Sequence, residues 1–298
     1  MQKYGKSVEH KPSLTAQVAA FSRARAAREF KGENLWGTDN LAENFLNRIY
    51  IKLLGDPVNL QFLTKREPPG WYNYSISRTV FFDRIFKEAL NENCPQIVFL
   101  GAGYDTRAYR FYDLIIETRI FELDAPPTQQ RKKECLIKAS IHIPDQLVFV
   151  SINFNTDSIK DVLVDAGYDK TQKTFFIWEG VTFYLNPEAI DNTLDFVKLN
   201  SPPASTIAFD YSRYSRDMED VNGVKETFSY MDSNVPEEPV LFTISESIIE
   251  SFLSKRGFKI IEHHSPKDIE KNILTSKDGV FLGQTNPCIC FVLASVTS

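Results

Sequence analysis

The chain has 298 residues, a formal net charge of −5, 43 % apolar residues and 24 % charged ones. That is the balance of a soluble globular protein, long enough for one large α/β domain or for one domain plus a cap. It excludes a nucleic-acid binder held by phosphate contacts, because no dominant positive field exists to release counterions. No uncharged apolar run is long enough for a transmembrane helix, so no membrane partner is expected.

The first ninety residues read as helical. Ser13 to about Phe30 opens on a capping Ser13 or Thr15 and continues in alanine-rich helix formers. Leu41 to Leu54 places Leu41, Phe45, Ile49 and Leu53 on one stripe, Arg66-Glu67-Pro68-Pro69-Gly70 is a turn, and Ser77 to Leu90 is a third helix. Met1–Lys6 is followed by no apolar stretch, so no secretory signal is expected and the protein is placed in the cytoplasm. The four cysteines, Cys94, Cys135, Cys288 and Cys290, lack zinc-type spacing; they read as buried thiols, and no metal site is expected. If Cys288–Val292 is a strand, Cys288 and Cys290 share a face.

From Gln96 the pattern changes to strand-length apolar runs at Gln96–Leu100, Arg119–Leu123, Leu147–Ser151, Thr174–Trp178, Thr206–Tyr211, Phe258–Glu262 and Cys288–Ser295. Helical stretches lie between the early ones, at about Thr106–Ile116, Pro127–Ala139, Ile159–Ala166 and Pro187–Asn200. Alternation of this kind predicts a mostly parallel, doubly wound sheet with right-handed crossovers. The last two strands lack a long intervening helix, which suits a final strand inserted antiparallel. The domain reading is an N-terminal helical cap over 1–92 and a core over 93–298, with a lid insertion at about 212–245, too long for a plain connection.

The first strand ends in Gly101-Ala102-Gly103, where the backbone lets a ligand approach; a tight structural turn is the other reading. Thr106 stands where the dinucleotide fingerprint needs its third glycine. A ligand with a ribose and no pyrophosphate therefore fits better, and S-adenosylmethionine is the commonest such ligand. Asp124 at the tip of the second strand suits two ribose hydroxyls, or equally a helix N-cap ahead of Pro126-Pro127. Glu122 on the same face is a supporting residue or a structural ion pair. Glu179 follows the fourth strand, where it faces a positive ligand group or caps the loop.

These blocks resemble the leucine carboxyl methyltransferase-like family of S-adenosylmethionine-dependent methyltransferases. The resemblance is carried by "QIVFLGAGYDTRAYR" (96–110), "SRTVFFD" (77–83), "FELDAPPT" (121–128), Ser151–Thr156 and "IWEGVTFYL" (177–185), and extends over roughly Thr15 to Tyr211. It implies a Rossmann-like class I methyltransferase fold: a seven-stranded, mostly parallel sheet with an antiparallel last strand. It also implies that Arg78, with Arg23 as a second cation, holds the cofactor carboxylate, that Gly101, Ala102 and Gly103 lie under the methionine part, and that Asp124 binds the ribose. Asn153 and Phe154 stand on the family's Asp-Leu adenine pair, where Asn keeps an acceptor but loses the charge, so that Asn155 or Asp157 is a substitute. Glu179 falls near the methionine amino group; Thr106 and Arg107 belong to the same signature or simply hold the turn.

The expected activity is methyl transfer to a carboxylate of a small-molecule, carrier-bound or peptide natural product, by positioning alone. Hydroxyl methylation and protein C-terminal carboxyl methylation are the alternatives. Tyr184, Tyr211, Arg213 and Tyr214 follow strand ends and are candidate acceptor contacts. The adjacent His263 and His264 are expected beyond the sixth strand, without recognisable partners.

Overall fold

A computed structural model describes residues 10–31, 35–154, 156–214, 223–236 and 238–297. Four helices come first: α1 (Leu14–Glu29), α2 (Arg48–Leu54), α3 (Pro57–Thr64) and α4 (Trp71–Asn91). Each start has a local cause. The Ser13 hydroxyl accepts from the Ala16 N–H, Asn47 and Asp56 cap α2 and α3, and Pro57 occupies the first turn of α3. The single helix expected over Leu41–Leu54 is instead a 3-10 turn (Ala42–Phe45) followed by α2, because Asn47 turns inward to bond the Ile49 and Tyr50 amides and so starts a new helix.

The strands are β1 (Gln96–Leu100), β2 (Arg119–Asp124), β3 (Leu147–Ser151), β4 (Thr174–Trp178), β5 (Thr206–Ser212), β6 (Phe258–His264) and β7 (Ile289–Val296). They form one 7-stranded sheet in the order β3-β2-β1-β4-β5-β7-β6, with β7 antiparallel to both neighbours and all other pairs parallel. The crossovers carry α5 (Arg107–Arg110), α6 (Pro126–Lys138), α7 (Ile159–Asp165) and α8 (Pro187–Leu199). After β5 come α9 (Val224–Asn234) and α10 (Ile249–Ser254), and α11 (Pro266–Asn272) joins β6 to β7. Residues 215–222 and 237 of the expected lid, and Asn155, lie outside the described residues.

Every residue of β1 and β4 is buried, as parallel strands covered on both faces must be. Alternate side chains feed two cores. Ile97, Phe99 and Phe175 pack with Ile76, Phe82 and Phe86 of α4. Val98, Leu100 and Phe176 pack with Leu163 of α7, Leu194 of α8 and Leu253 of α10. The N-terminal helices thus share one apolar core with the sheet face they cover. Strand β7 begins at Ile289, so Cys288 lies in the first core and Cys290 in the second, not on one face. Strand β6 runs to His264, so both histidines lie within it and both have partners: His263 Nε2 is 2.8 Å from the Tyr211 hydroxyl, and His264 Nε2 is 2.5 Å from Glu262.

Helix α4 carries much of the site, and its entry is fixed by Gly70, which has φ +70°. A Cβ there would stand 2.2 Å from the Thr285 carbonyl carbon. Gly70→Ala is expected to destabilise the fold by more than about 1 kcal/mol, read as a lower urea midpoint at unchanged slope. An unchanged midpoint would contradict this packing.

Candidate functional site

Over the carboxyl ends of β1, β2 and β4 lies a cavity of about 440 Å³. Brought together in its wall are Arg23, Arg78, Gly101, Ala102, Gly103, Asp124, Asn153, Phe154, Glu179 and Tyr184. Tyr211, Arg213 and Tyr214 do not line it. The Tyr211 ring is fully buried in the opposite core, Arg213 donates to the Pro287 carbonyl at 2.8 Å and pairs with Glu246, and Tyr214 packs under Arg213. They are therefore not acceptor contacts.

The glycine turn is pinned by two amides, from Gly101 and Ala102, which donate to the Leu123 carbonyl at 3.0 and 2.8 Å. Gly101 has φ +81°, and a Cβ on it would meet Val181 at 2.8 Å, so the turn needs glycine for both conformation and space. The Asp124 carboxylate accepts from the Gly103 amide and, at 2.6 Å, from the Ala125 amide. Ala125, not Asp124, is the N-cap of α6. Burial raises the Asp124 carboxyl to about 6, against the pull of those two amides. The Asn153 amide donates to Asp157 at 2.8 Å, which holds the β3 turn against the cavity. Glu122 is a structural ion pair: Lys132 Nζ stands 2.6 Å from it in full burial, and the Tyr109 hydroxyl donates at 3.3 Å.

Arg78 and Glu179 belong to a longer structure. Arg78 Nε is 3.0 Å from Glu179 and Nη1 is 3.5 Å from Asp210. Arg107 reaches Glu179 at 2.7 Å, Asp83 at 2.8 Å, and Asp105. Arg110 pairs with Asp83 at 2.6 Å and Asp39 at 3.5 Å, and Arg23 closes the series on Asp39 at 2.7 Å. At Asp83, burial works to raise the carboxyl, but the Arg110 and Arg107 charges and the hydrogen bonds from Arg110 and Thr38 outweigh it and lower the group to about 2. Asp39 is likewise lowered, against its burial, by Arg110 and Arg23. The Arg78–Glu179 contact is an ion pair without hydrogen-bond alignment, so the buried Arg78 Nε–H has no hydrogen-bond acceptor.

Asp210, which the sequence reading missed, is fully buried and accepts from the Tyr74 hydroxyl at 2.6 Å and from the Gly180 amide at 2.7 Å. Its signal was a carboxylate near a strand's carboxyl end, the same one that drew attention to Glu179. Glu238, beyond α9, was missed as well. It lines the cavity, accepts from the Thr15 hydroxyl, and has the Ser13 hydroxyl at 3.5 Å. Burial raises its carboxyl. Around it the wall is aromatic and apolar, with Trp71, Tyr74, Phe183, Tyr230 and Met231, and the Trp71 and Tyr230 rings lie 5.9 Å apart. Among the described residues no cluster of His, Cys, Asp and Glu is arranged to hold a metal, and no helix is long and apolar enough to cross a membrane.

Comparison with known proteins agrees with this geometry. A Bacillus subtilis (strain 168) protein, YktD, inferred to be an S-adenosyl-L-methionine-dependent methyltransferase, is 33 % identical over 286 residues, covering 88 % of this chain and 91 % of that one. A Mycobacterium sp. (strain JLS) protein with the same inferred activity is 29 % identical over 61 % of each chain. Two crystal structures share the fold: an inferred methyltransferase from Thermobifida fusca YX (TM-score 0.63, 13 % identity, 98 % of each chain) and a DUF574 family protein from Streptomyces avermitilis MA-4680 (TM-score 0.66, 10 % identity, 97 % of this chain and 99 % of that one). The leucine carboxyl methyltransferase family profile matches residues 16–198, and the chain belongs to that family.

Proposed function

We propose that the protein is an S-adenosylmethionine-dependent O-methyltransferase whose acceptor is a carboxylate on a small-molecule, carrier-bound or peptide natural product, acting in the cytoplasm. The observation that carries the cofactor assignment is the meeting, in one cavity, of a glycine turn, a ribose-type carboxylate at the next strand tip and a buried arginine with a spare donor. Asp124 accepts from the two ribose hydroxyls. The Arg78 guanidinium, whose Nε–H makes no aligned hydrogen bond in the ion pair with Glu179, takes the carboxylate of the methionine part, and Glu179 beside it takes the amino group. Asn153 and Phe154, at the β3 turn, flank the adenine.

When bound, the cofactor supplies an electrophilic methyl group on a positive sulfur. The chain's part is to align the acceptor and exclude water, and orientation of this kind is worth roughly 7–11 kcal/mol. No base is needed for a carboxylate, because an acid of pKa about 4 is about 1,000-fold ionised at pH 7. The acceptor occupies the aromatic half of the cavity beside Tyr184, Trp71 and Tyr230. A second reading, hydroxyl methylation, draws support from Glu238. Its carboxyl is raised by burial and lines that half, which is where a general base for a hydroxyl would stand. Transfer of labelled methyl followed by mild alkali separates the two readings: an ester releases the label as methanol, and an ether keeps it.

Two measurements test the cofactor assignment. Arg78→Lys keeps a charge against Glu179 and Asp210 but loses the planar fork, and is expected to weaken S-adenosylhomocysteine binding by about 1.5 kcal/mol or more. Unchanged affinity in calorimetry would remove Arg78 from the carboxylate site. The second is pH. The ionised Asp124 accepts the ribose protons, so binding is full above about 6, where Asp124 titrates, and falls below it by at most about tenfold per unit. Asp124→Asn should flatten that slope between pH 5 and 6; a wild-type affinity constant across this range would contradict the role.

A further inference from the structure

The ion pairs between the cavity and the cap form one connected series of alternating charge. It contains the carboxylates Asp210, Glu179, Asp105, Asp83 and Asp39 and the guanidiniums Arg78, Arg107, Arg110 and Arg23, which leaves a formal excess of one negative charge. The wiring decides where that excess sits. Among the described carboxylates Arg23 pairs with Asp39 alone, so it claims Asp39. Arg110 is then left with Asp83. Arg107 and Arg78 divide Asp105, Glu179 and Asp210 between them, and one of these three stays unmatched whichever assignment is made. Asp105 and Glu179 line the cavity, and Asp210 lies directly behind Gly180 and Arg78. Two further carboxylates, Asp124 and Glu238, stand in the same wall. Its two described cations, Arg23 and Arg78, are both members of the series.

We infer that this unmatched carboxylate makes the cavity a charge filter that holds the sulfonium cofactor in preference to its thioether product. The inference rests on the cofactor being S-adenosylmethionine. The amino and carboxylate groups of its tail cancel, and the sulfonium contributes the one positive charge that balances the wall. In the transfer an acceptor oxygen lone pair forms the new O–CH3 bond, while the electron pair of the breaking C–S bond remains on sulfur. The cofactor thereby becomes neutral, and the carboxylates lose their counter-charge in the same step. Attraction between unit charges a few ångströms apart in a partly buried site is enough for a discrimination of about tenfold. Asp210, Glu179 and Asp105 are thus specificity-determining residues that set which form of the cofactor stays bound.

The test is calorimetric titration of the full chain with S-adenosylmethionine and with S-adenosylhomocysteine, without acceptor. The wild type is expected to bind S-adenosylmethionine about tenfold more tightly. Asp210→Asn, which keeps an acceptor for the Gly180 amide, brings the series to neutrality. It should shrink that ratio at least about threefold by weakening S-adenosylmethionine while changing S-adenosylhomocysteine little. Asp105→Asn should do the same, and carries the test if Asp210→Asn does not fold. Equal or tighter product binding by the wild type would overturn the inference, as would variants that weaken both ligands alike, since a merely structural role does that. A folded wild type that binds neither ligand removes the cofactor reading itself, and the filter with it.

Discussion

The arrangement of the site depends on one constraint, the burial of Arg107. The residue is 1 % exposed, and its guanidinium meets Asp83 of α4, Asp105 of the glycine turn and Glu179 beyond β4. Three separately coded segments are fixed to one planar group. Through Asp83 the constraint passes to Arg110 and Asp39, and so to Arg23 of α1; through Glu179 it passes to Arg78 and Asp210 of β5. Burying so many charges is costly in desolvation, and such networks are poor evidence for stability as such. What this one supplies is position. A guanidinium with three carboxylates around it tolerates little displacement, because each ångström gained from one partner is lost to another.

The sheet explains why those segments meet. Where strand order departs from sequence order, β1 lies between β2 and β4, and the chains leaving β1 and β4 diverge to opposite sides. The crevice that results is floored by backbone rather than side chains, which is where Gly101 is required. Helix α4 closes the cap side and α9 the other, and Trp71 and Tyr230 meet between them. Glu238 then ties the segment after α9 to the start of α1, at a helix N-terminus whose exposed amides favour a carboxylate. The segment after α9 and the start of α1 therefore meet on the same wall of the cavity as Asp124, and the Ser13 amide donates to Thr128 of α6 at 3.0 Å.

The parts legible in the sequence were those whose cause is local. β1 through β4, the glycine turn and Asp124 are each specified by runs of five to ten neighbouring residues, and β7 was placed antiparallel from the lack of a long helix before it. Tyr211 was misjudged for a reason of period, and Arg213 because it pairs with Glu246 and the Pro287 carbonyl beyond the strand. In β5 successive side chains point to opposite faces, so Asp210 turns to the cavity side and Tyr211 to the far core. Proximity to a strand end says which rim a residue is near, but not which face it is on. Glu238 was illegible because no periodicity marks it; only the folded chain brings it to Ser13. The network was illegible for the same reason, since Asp39 and Asp210 stand far apart in sequence and are related only through the arginines between them. Arg107 shows the limit from the other side. Its place in a family signature was plain, but a signature does not distinguish a ligand-binding residue from one that holds the turn; the structure gives it three buried ion pairs and leaves its Nη2 without a hydrogen-bond partner.

The charge inventory also bears on the acceptor. The described cations of the cavity wall are engaged by carboxylates, and the acceptor half is aromatic, with Glu238 the acidic group at its edge. An acceptor carboxylate entering that half finds no unmatched cation in the described wall. On the carboxylate reading, the positive group facing it is the sulfonium, the group it attacks, whose charge it shares with the unmatched carboxylate of the wall. The attraction that brings the acceptor in is then directed along the line of transfer, and it vanishes when the methyl group moves, because the ester and the thioether are both neutral. A hydroxyl acceptor gains nothing from this and instead needs a base, for which Glu238 is the available group. The two readings thus make different demands on one wall: the first relies on the sulfonium because the described wall offers no free cation near the acceptor, and the second on Glu238, whose carboxyl burial raises.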